Sequence, residues 1–193
     1  MLIEKDTIKA ESHFSEDRQH KFLTKRTWNK DKPALAVIML QSGFSDNLVN
    51  DTTTGLVVNS VARLETYGSV HILNLYSKIT NHLNFRYNSD EDLSPKENDE
   101  YILKSAAECE KIVLAWGRTE DTNMRVAERV LRVIKLLTPY KDKLCCISDG
   151  KDNFYHPLFP GVRQGWQLEP VDVKKWNTND KNHNIANNEN VPT

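Results

Sequence analysis

The chain has 193 residues and carries 26 Lys and Arg side chains against 27 Asp and Glu, for a formal net charge of −1. That length predicts a single domain, and the charge balance excludes the global positive field of a non-specific nucleic-acid-binding protein. No apolar run approaches the ~20 residues that a membrane span needs, and the charged segment 1–14 does not resemble a secretory signal. We therefore expect a cytoplasmic protein with no membrane partner. The six His and three Cys show no spacing typical of metal ligands, so no metal and no cofactor are expected.

The predicted elements alternate between strands and helices. Residues 1–17 are polar, and we expect them to be disordered. The next segments predict an edge strand over 20–28, core strands over 34–40, 69–76, 111–117 and 143–148, and helices over about 53–66, 94–110 and 121–138. Residues 177–193 are rich in Asn and Asp and predict a disordered tail.

The apolar runs stop abruptly at polar or glycine-containing turns, which is typical of parallel strands buried on both faces. Strands that alternate with helices in this way require helices on both sides of a sheet. We therefore predict an α/β fold in residues 18–170. It is a three-layer α/β/α sandwich around a central, mainly parallel four-stranded sheet, in the order 2-1-3-4, plus the edge strand. In open sheets of this kind, ligands bind at the carboxyl ends of the strands.

The first candidate site is the polar loop QSGFSDNLVND, residues 41–51, which follows strand 34–40. Gly43 permits close approach of a ligand to the backbone, and the helix that follows offers free N–H groups to an anion. Asp46 and Asp51 could orient a water molecule or a sugar hydroxyl. The alternative interpretation is a helix cap with an ordinary turn. The loop carries neither a GxGxxG nor a Walker pattern, so a classical dinucleotide or P-loop site is not expected.

Other candidate residues stand at the ends of the later strands. Asn74 lies inside an apolar strand, where a buried amide must be hydrogen-bonded, so it either pins a neighbouring loop or binds the edge of a ligand. Trp116 either stacks on a base or belongs to the core, and Gly117 lets a ligand or another backbone segment approach. His156 is either structural or placed for catalysis or contact with an anion.

Six short motifs occur in an order that resembles a known family. They are Arg26 with Trp28, Met39-Leu40-Gln41-Ser42 followed by Asp46, Asp51 with Thr53, Leu73-Asn74-Leu75-Tyr76, Ala115-Trp116-Gly117 and His156-Pro157-Leu158-Phe159. This pattern, over about residues 20–160, resembles a bacterial and phage family called domain of unknown function 1643.

The same pattern is similar, more distantly, to the uracil-DNA glycosylase superfamily. That resemblance implies four parallel strands, a catalytic loop near Gln41-Ser42, a base-binding residue at Asn74 and a loop histidine at His156. Glycosylases of this kind use Asp-Pro or Asn-Pro in the catalytic loop to position a water molecule. This chain has Gln41-Ser42 there instead.

Two functions from different classes follow. In the first, the protein binds or hydrolyses a nucleobase, nucleoside or nucleotide, with Gln41 or Asp46 holding a water molecule and His156 stabilising developing negative charge. The residues expected to bind the substrate are Arg26, Ser42, Phe44, Asp51, Asn74, Trp116 and Gly117. In the second, the chain is a non-catalytic binding or interaction module of phage or mobile-element origin. The expected partner is a small nucleobase-type or nucleotide-type ligand, or single-stranded nucleic acid.

Overall fold

The computed structural model describes residues 1–148 and 155–173. Within these residues the chain forms one seven-stranded sheet with helices on both faces. The strands are β1 (Lys9–Phe14), β2 (Lys21–Thr27), β3 (Ala34–Ser42), β4 (Ser69–Ile79), β5 (Lys111–Leu114), β6 (Leu144–Ser148) and β7 (Gln167–Pro170), and the helices are α1 (Thr52–Arg63), α2 (Asp90–Leu93), α3 (Lys96–Glu108) and α4 (Met124–Leu137). Across the described ranges, no helix is long and apolar enough to cross a bilayer.

The strand order is β1-β2-β4-β3-β5-β6-β7. The four inner strands β4, β3, β5 and β6 are parallel, whereas β1, β2 and β7 pair antiparallel. Alternate residues of β3 point to opposite faces. Val37 packs against α1, and Ile38 packs against α3 and α4. Both faces of the central strands are therefore covered, as their apolar composition requires.

The α/β class is confirmed, but the predicted sheet of four strands with a single edge strand is wrong, and its order 2-1-3-4 describes only the four inner strands, β4-β3-β5-β6. The sheet is mixed and has seven strands. The segment 20–28, expected at an edge, forms β2 inside the sheet, because β1 pairs along its outer side. The short β7 closes the opposite edge against β6.

Strand β1 arises from the segment 1–17 that was expected to be disordered. A tight turn joins β1 to β2, with the Ser15 amide donating to the His20 carbonyl at 3.0 Å. On β1, His13 lies 3.2 Å from the Tyr101 hydroxyl of α3. Hairpin pairing thus recruits a polar strand that lacks an apolar pattern of its own. The predicted disordered tail, residues 177–193, lies outside the described residues.

Candidate functional site

A cavity of about 300 Å³ lies at the carboxyl ends of β3 and β4, on the face that α1 covers. We call it the β3–β4 cavity. Its wall includes Met39 and Gln41 of β3, Ile72 and Asn74 of β4, the first turn of α1 and the 156–158 segment. Ligand pockets are typically apolar with a few convergent polar groups, whereas more of the residues that line this cavity are polar or charged than apolar.

Asn74 is the most buried polar side chain of β4 that faces this cavity, and it is only 4% exposed. It sits opposite Met39 in the parallel β3–β4 pair. Its side-chain carbonyl oxygen has no hydrogen-bond partner in the described part of the chain. Leaving such a group unpaired costs about 1–3 kcal/mol, so the fold retains an unfavourable buried oxygen beside this cavity.

His156 lines the same cavity. Its Nδ1 accepts a hydrogen bond from the Leu158 amide at 3.2 Å. Burial lowers the pKa of His156 below its usual value. The ring is therefore neutral near pH 7 and carries its proton on Nε2, which has no partner within the described residues.

Gly117 packs closely against His156. Its φ of +77° is a left-handed conformation that favours glycine. A Cβ at this position would lie 3.3 Å from the Cβ of His156. The glycine after β5 therefore serves the site by letting the histidine backbone pack closely against it.

Asp51 and Gly43 bring the start of α1 against the end of β3. One oxygen of Asp51 caps the helix by accepting from the Thr54 amide at 2.7 Å. A Cβ on Gly43 would lie only 2.6 Å from the other oxygen, Oδ2. Asp51 thus caps α1, as one interpretation of the loop held, and its carboxylate also lines the cavity.

Lys21 is a residue of the site that the sequence analysis missed. Its buried ammonium donates to the Gly43 carbonyl at 2.8 Å and to both the carbonyl and the hydroxyl of Ser45 at 2.7 Å. These bonds use all three of its protons, so Lys21 holds the loop rather than a ligand. Burial lowers its pKa to about 8. In the sequence, the feature that could have indicated this role is a lysine near the start of the predicted strand over 20–28.

Gln41 lines the cavity but has already committed its amide protons. Its Nε2 donates to the carbonyl oxygens of Thr80 at 3.3 Å and Asn81 at 3.0 Å. This ties the end of β3 to the loop that follows β4. What Gln41 can offer a ligand or a water molecule is its side-chain oxygen, which is an acceptor and a poor base.

Asp46 lies away from the cavity, contrary to the role expected for it. Its Oδ1 accepts hydrogen bonds from the Leu48 and Val49 amides at 2.8 Å, and these bonds lower its pKa. Arg26, expected to bind substrate, is buried and donates to the Asp46 carbonyl and to Asn50 Oδ1. Both residues fix the shape of the loop and are not part of the cavity wall.

Three more expected contacts lie elsewhere. Trp116 is 2% exposed, packs in the core beside α3 and α4, and donates from Nε1 to Glu120 at 2.7 Å. Ser42 is buried but does not line the β3–β4 cavity. Phe44 is 65% exposed and faces a second cavity, of about 360 Å³, between the β1–β2 turn and the 41–51 loop. We call this the hairpin cavity.

The described residues contain no group of three or more His, Cys, Asp or Glu side chains placed to hold a metal ion. Burial raises the pKa of both Cys109 and Cys145 to about 12, so these thiols are poor nucleophiles.

A family model described as "Protein of unknown function (DUF1643)" matches residues 21–158. Neither the curated proteins nor the solved structures contain a match to this chain. The residues that line the β3–β4 cavity, from Lys21 in β2 to Leu158, all fall within the matched span. The chain belongs to the family of proteins of unknown function DUF1643.

Proposed function

We propose that the protein binds a nucleobase in the β3–β4 cavity, either free or as part of a nucleoside or nucleotide. The observation that carries this proposal is the buried, unpartnered side-chain carbonyl of Asn74 at the cavity wall. A carboxamide offers an acceptor and a donor side by side. That pattern is complementary to the adjacent N–H and C=O groups, or N and NH₂ groups, of a base edge.

The other groups of the cavity fit the same ligand class. His156 supplies a neutral N–H donor, and Met39, Ile72 and Leu158 supply apolar surface for the faces of a planar ring. A volume of about 300 Å³ lies at the small end of the range for ligand sites. It suits a base or nucleoside better than a larger dinucleotide.

The polar side chains best placed to activate water already make hydrogen bonds within the protein, which favours binding over turnover. Hydrolysis of an N-glycosidic bond needs a group that positions or activates water. Gln41 donates its amide protons to carbonyl groups of the neighbouring loop, and one oxygen of Asp51 accepts the hydrogen bond that caps α1. The remaining Asp51 oxygen is the group to which we assign any slow turnover. A non-catalytic protein that binds the same ligand in the same cavity is therefore the alternative to a hydrolase.

A thermal-shift and calorimetric screen against free bases, nucleosides and nucleotides tests the binding. We expect at least one of them to raise the melting temperature of the native protein and Asn74→Leu to abolish that shift. Ser42→Ala is the matched control, because it removes a buried, unpartnered hydroxyl that lies off the cavity. Equal loss of binding in both variants, or no shift with any compound, would contradict the proposal.

Release of free base from the bound nucleoside tests turnover. Asp51→Asn keeps a good helix cap but removes the carboxylate, and we expect it to abolish any hydrolysis. Asp46→Asn is the control and should retain it. Activity lost in Asp46→Asn and kept in Asp51→Asn would refute the assignment of the carboxylate.

A further inference from the structure

The hairpin cavity adjoins the β3–β4 cavity, since Ser45 lines both. The wall between them is the segment 43–45 that Lys21 holds through its three hydrogen bonds. A ligand seated against Asn74 could therefore extend past Ser45 into the second space. The question is which chemical group the hairpin cavity would accept.

Arg18 is the best-placed charged group there. Its guanidinium stacks over the ring of Phe14, 4.2 Å from the centroid, and has no hydrogen-bond or ion-pair partner within the described residues. The backbone of Arg18 has φ +56°, and its amide donates to the Ser15 carbonyl at 2.9 Å. A non-glycine residue in this conformation costs about 1 kcal/mol or more and is frequent at functional sites.

The neighbouring groups strengthen the preference for an anion. Lys78 donates one proton to Asn88 Oδ1 at 2.8 Å and retains two. Asp46 also lines the hairpin cavity, and its carboxylate keeps its negative charge, since two backbone amides and the nearby Arg18 lower its pKa; with Arg18 and Lys78 the lining still carries a net positive charge. Phe44 supplies an exposed ring at the same wall. A planar guanidinium fixed on an aromatic ring is suited to bidentate binding of a phosphate.

We propose that the hairpin cavity binds the phosphate of a mononucleotide whose base occupies the β3–β4 cavity. This inference rests on the proposed function and narrows its ligand to a phosphorylated nucleoside. Arg18 and Lys78 outweigh the Asp46 carboxylate in the lining of the hairpin cavity, and the resulting net positive charge suits a single phosphate group. A polynucleotide strand would demand a longer basic track, and a chain of net charge −1 offers little support for one.

Calorimetry with the best-binding nucleoside of the screen, its 5′-monophosphate and its 3′-monophosphate tests the inference. We expect one monophosphate to bind about ten-fold more tightly than the nucleoside at low salt. That advantage should shrink as sodium chloride rises from about 50 to about 500 mM, because salt screens the exposed charges. Arg18→Gln should remove the advantage and leave nucleoside affinity unchanged.

Arg86→Gln is the matched control, since Arg86 also stacks on an aromatic ring, Tyr87, but lines neither cavity. Monophosphates that bind no tighter than the nucleoside would overturn this inference and leave the proposed function intact. If Arg18→Gln and Arg86→Gln reduced the affinity advantage of the monophosphate equally, the inference would also be overturned. If a short single-stranded oligonucleotide bound far more tightly than either monophosphate, the ligand would be a nucleic-acid strand and the mononucleotide inference would be wrong. Failure of every nucleoside to bind would instead contradict the proposed function itself.

Discussion

The two faces of β4 treat their buried polar groups differently. On the α3/α4 face, Asn98 donates to the Asn74 and Leu75 carbonyl oxygens at 3.0 and 3.2 Å, and Arg129 donates from Nε to the Leu75 carbonyl at 2.9 Å. On the α1 face, the Asn74 side chain meets a cavity and leaves its own carbonyl unpaired. One face uses polar groups to fix the strand, and the other leaves the Asn74 side-chain oxygen without a partner among the described residues.

This difference separates stability from binding. Asn98 and Arg129 each also retain one unpartnered buried atom, but those atoms line neither of the two cavities. Groups that bind the backbone of β4 should affect folding when they are removed. Groups at the β3–β4 cavity should affect the ligand and leave folding intact or improved.

The largest effect is expected from Asp99→Ala on the α3/α4 face. Asp99 pairs with the buried Arg129 at 2.5 Å, and its removal leaves a buried guanidinium without its counter-ion. We expect a loss of about 3 kcal/mol in the free energy of unfolding, measured by urea denaturation, with ligand binding retained. Glu100→Ala is the control, because its pair with Lys96 at 3.9 Å is exposed and worth under about 0.5 kcal/mol. Equal effects of the two variants would contradict this view of the face.

The next effect is a loss of stability in mild acid from His71, which also lies on the α3/α4 face and is bound through Nδ1 to Ser105 at 3.3 Å. Burial lowers its pKa to about 4 from an unfolded value of 6.5. The unfolded chain therefore binds a proton that the folded chain rejects, and stability falls as the pH drops below 6.5 towards 4. The contribution is about 2 kcal/mol between pH 6.5 and 5.

Urea denaturation across this pH range compares His71→Gln with His82→Gln, a variant of an exposed histidine. The first should flatten the acid dependence, and the second should leave it as in the wild type. Some slope will remain, because burial lowers the pKa of His20 and His156 in the same direction. An unchanged slope in His71→Gln would show that its burial does not govern the acid response.

A smaller effect on stability, joined to an effect on binding, is expected from Gly117→Ala. The left-handed backbone at Gly117 costs an alanine about 1 kcal/mol, and the new Cβ would press on His156. We expect both the melting temperature and the ligand affinity to fall. Gly55→Ala in α1, where a Cβ meets no atom within 4 Å, should instead stabilise the protein by about 0.5 kcal/mol or more. Unchanged affinity in Gly117→Ala would remove His156 from the binding site.

Apolar runs that stop at polar turns mark the carboxyl ends of parallel strands, and this pattern predicted that Gln41, Asn74 and His156 lie near one edge of the sheet. The structure brings these three residues to one cavity. Their roles towards a ligand stay predictions. Gln41 and Asn74 lie within β3 and β4, and His156 lies beyond the end of β6, so the local pattern indicated the edge of the sheet rather than the exact position of each residue.

The rest depended on contacts between distant segments. Arg26 helps to fix the loop in the conformation that places Asp51, and not Asp46, at the cavity. It binds the loop from about 20 positions earlier in the chain, and no local sequence pattern predicts this contact. Lys21 reaches residues 43–45 in the same way. Strand β1 was missed because it is a half-buried strand at the sheet edge, without an apolar run or an alternating pattern of burial.

The most direct test of the central claim is the stability of Asn74→Leu without and with ligand, measured by urea denaturation. If the Asn74 amide is kept unpaired for a ligand, an apolar replacement should raise the free energy of unfolding of the unliganded protein by about 1 kcal/mol. Added ligand should then give the variant no further stabilisation. A variant that is clearly less stable than the wild type, or that ligand still stabilises fully, would show that Asn74 is a structural pin and would contradict the account.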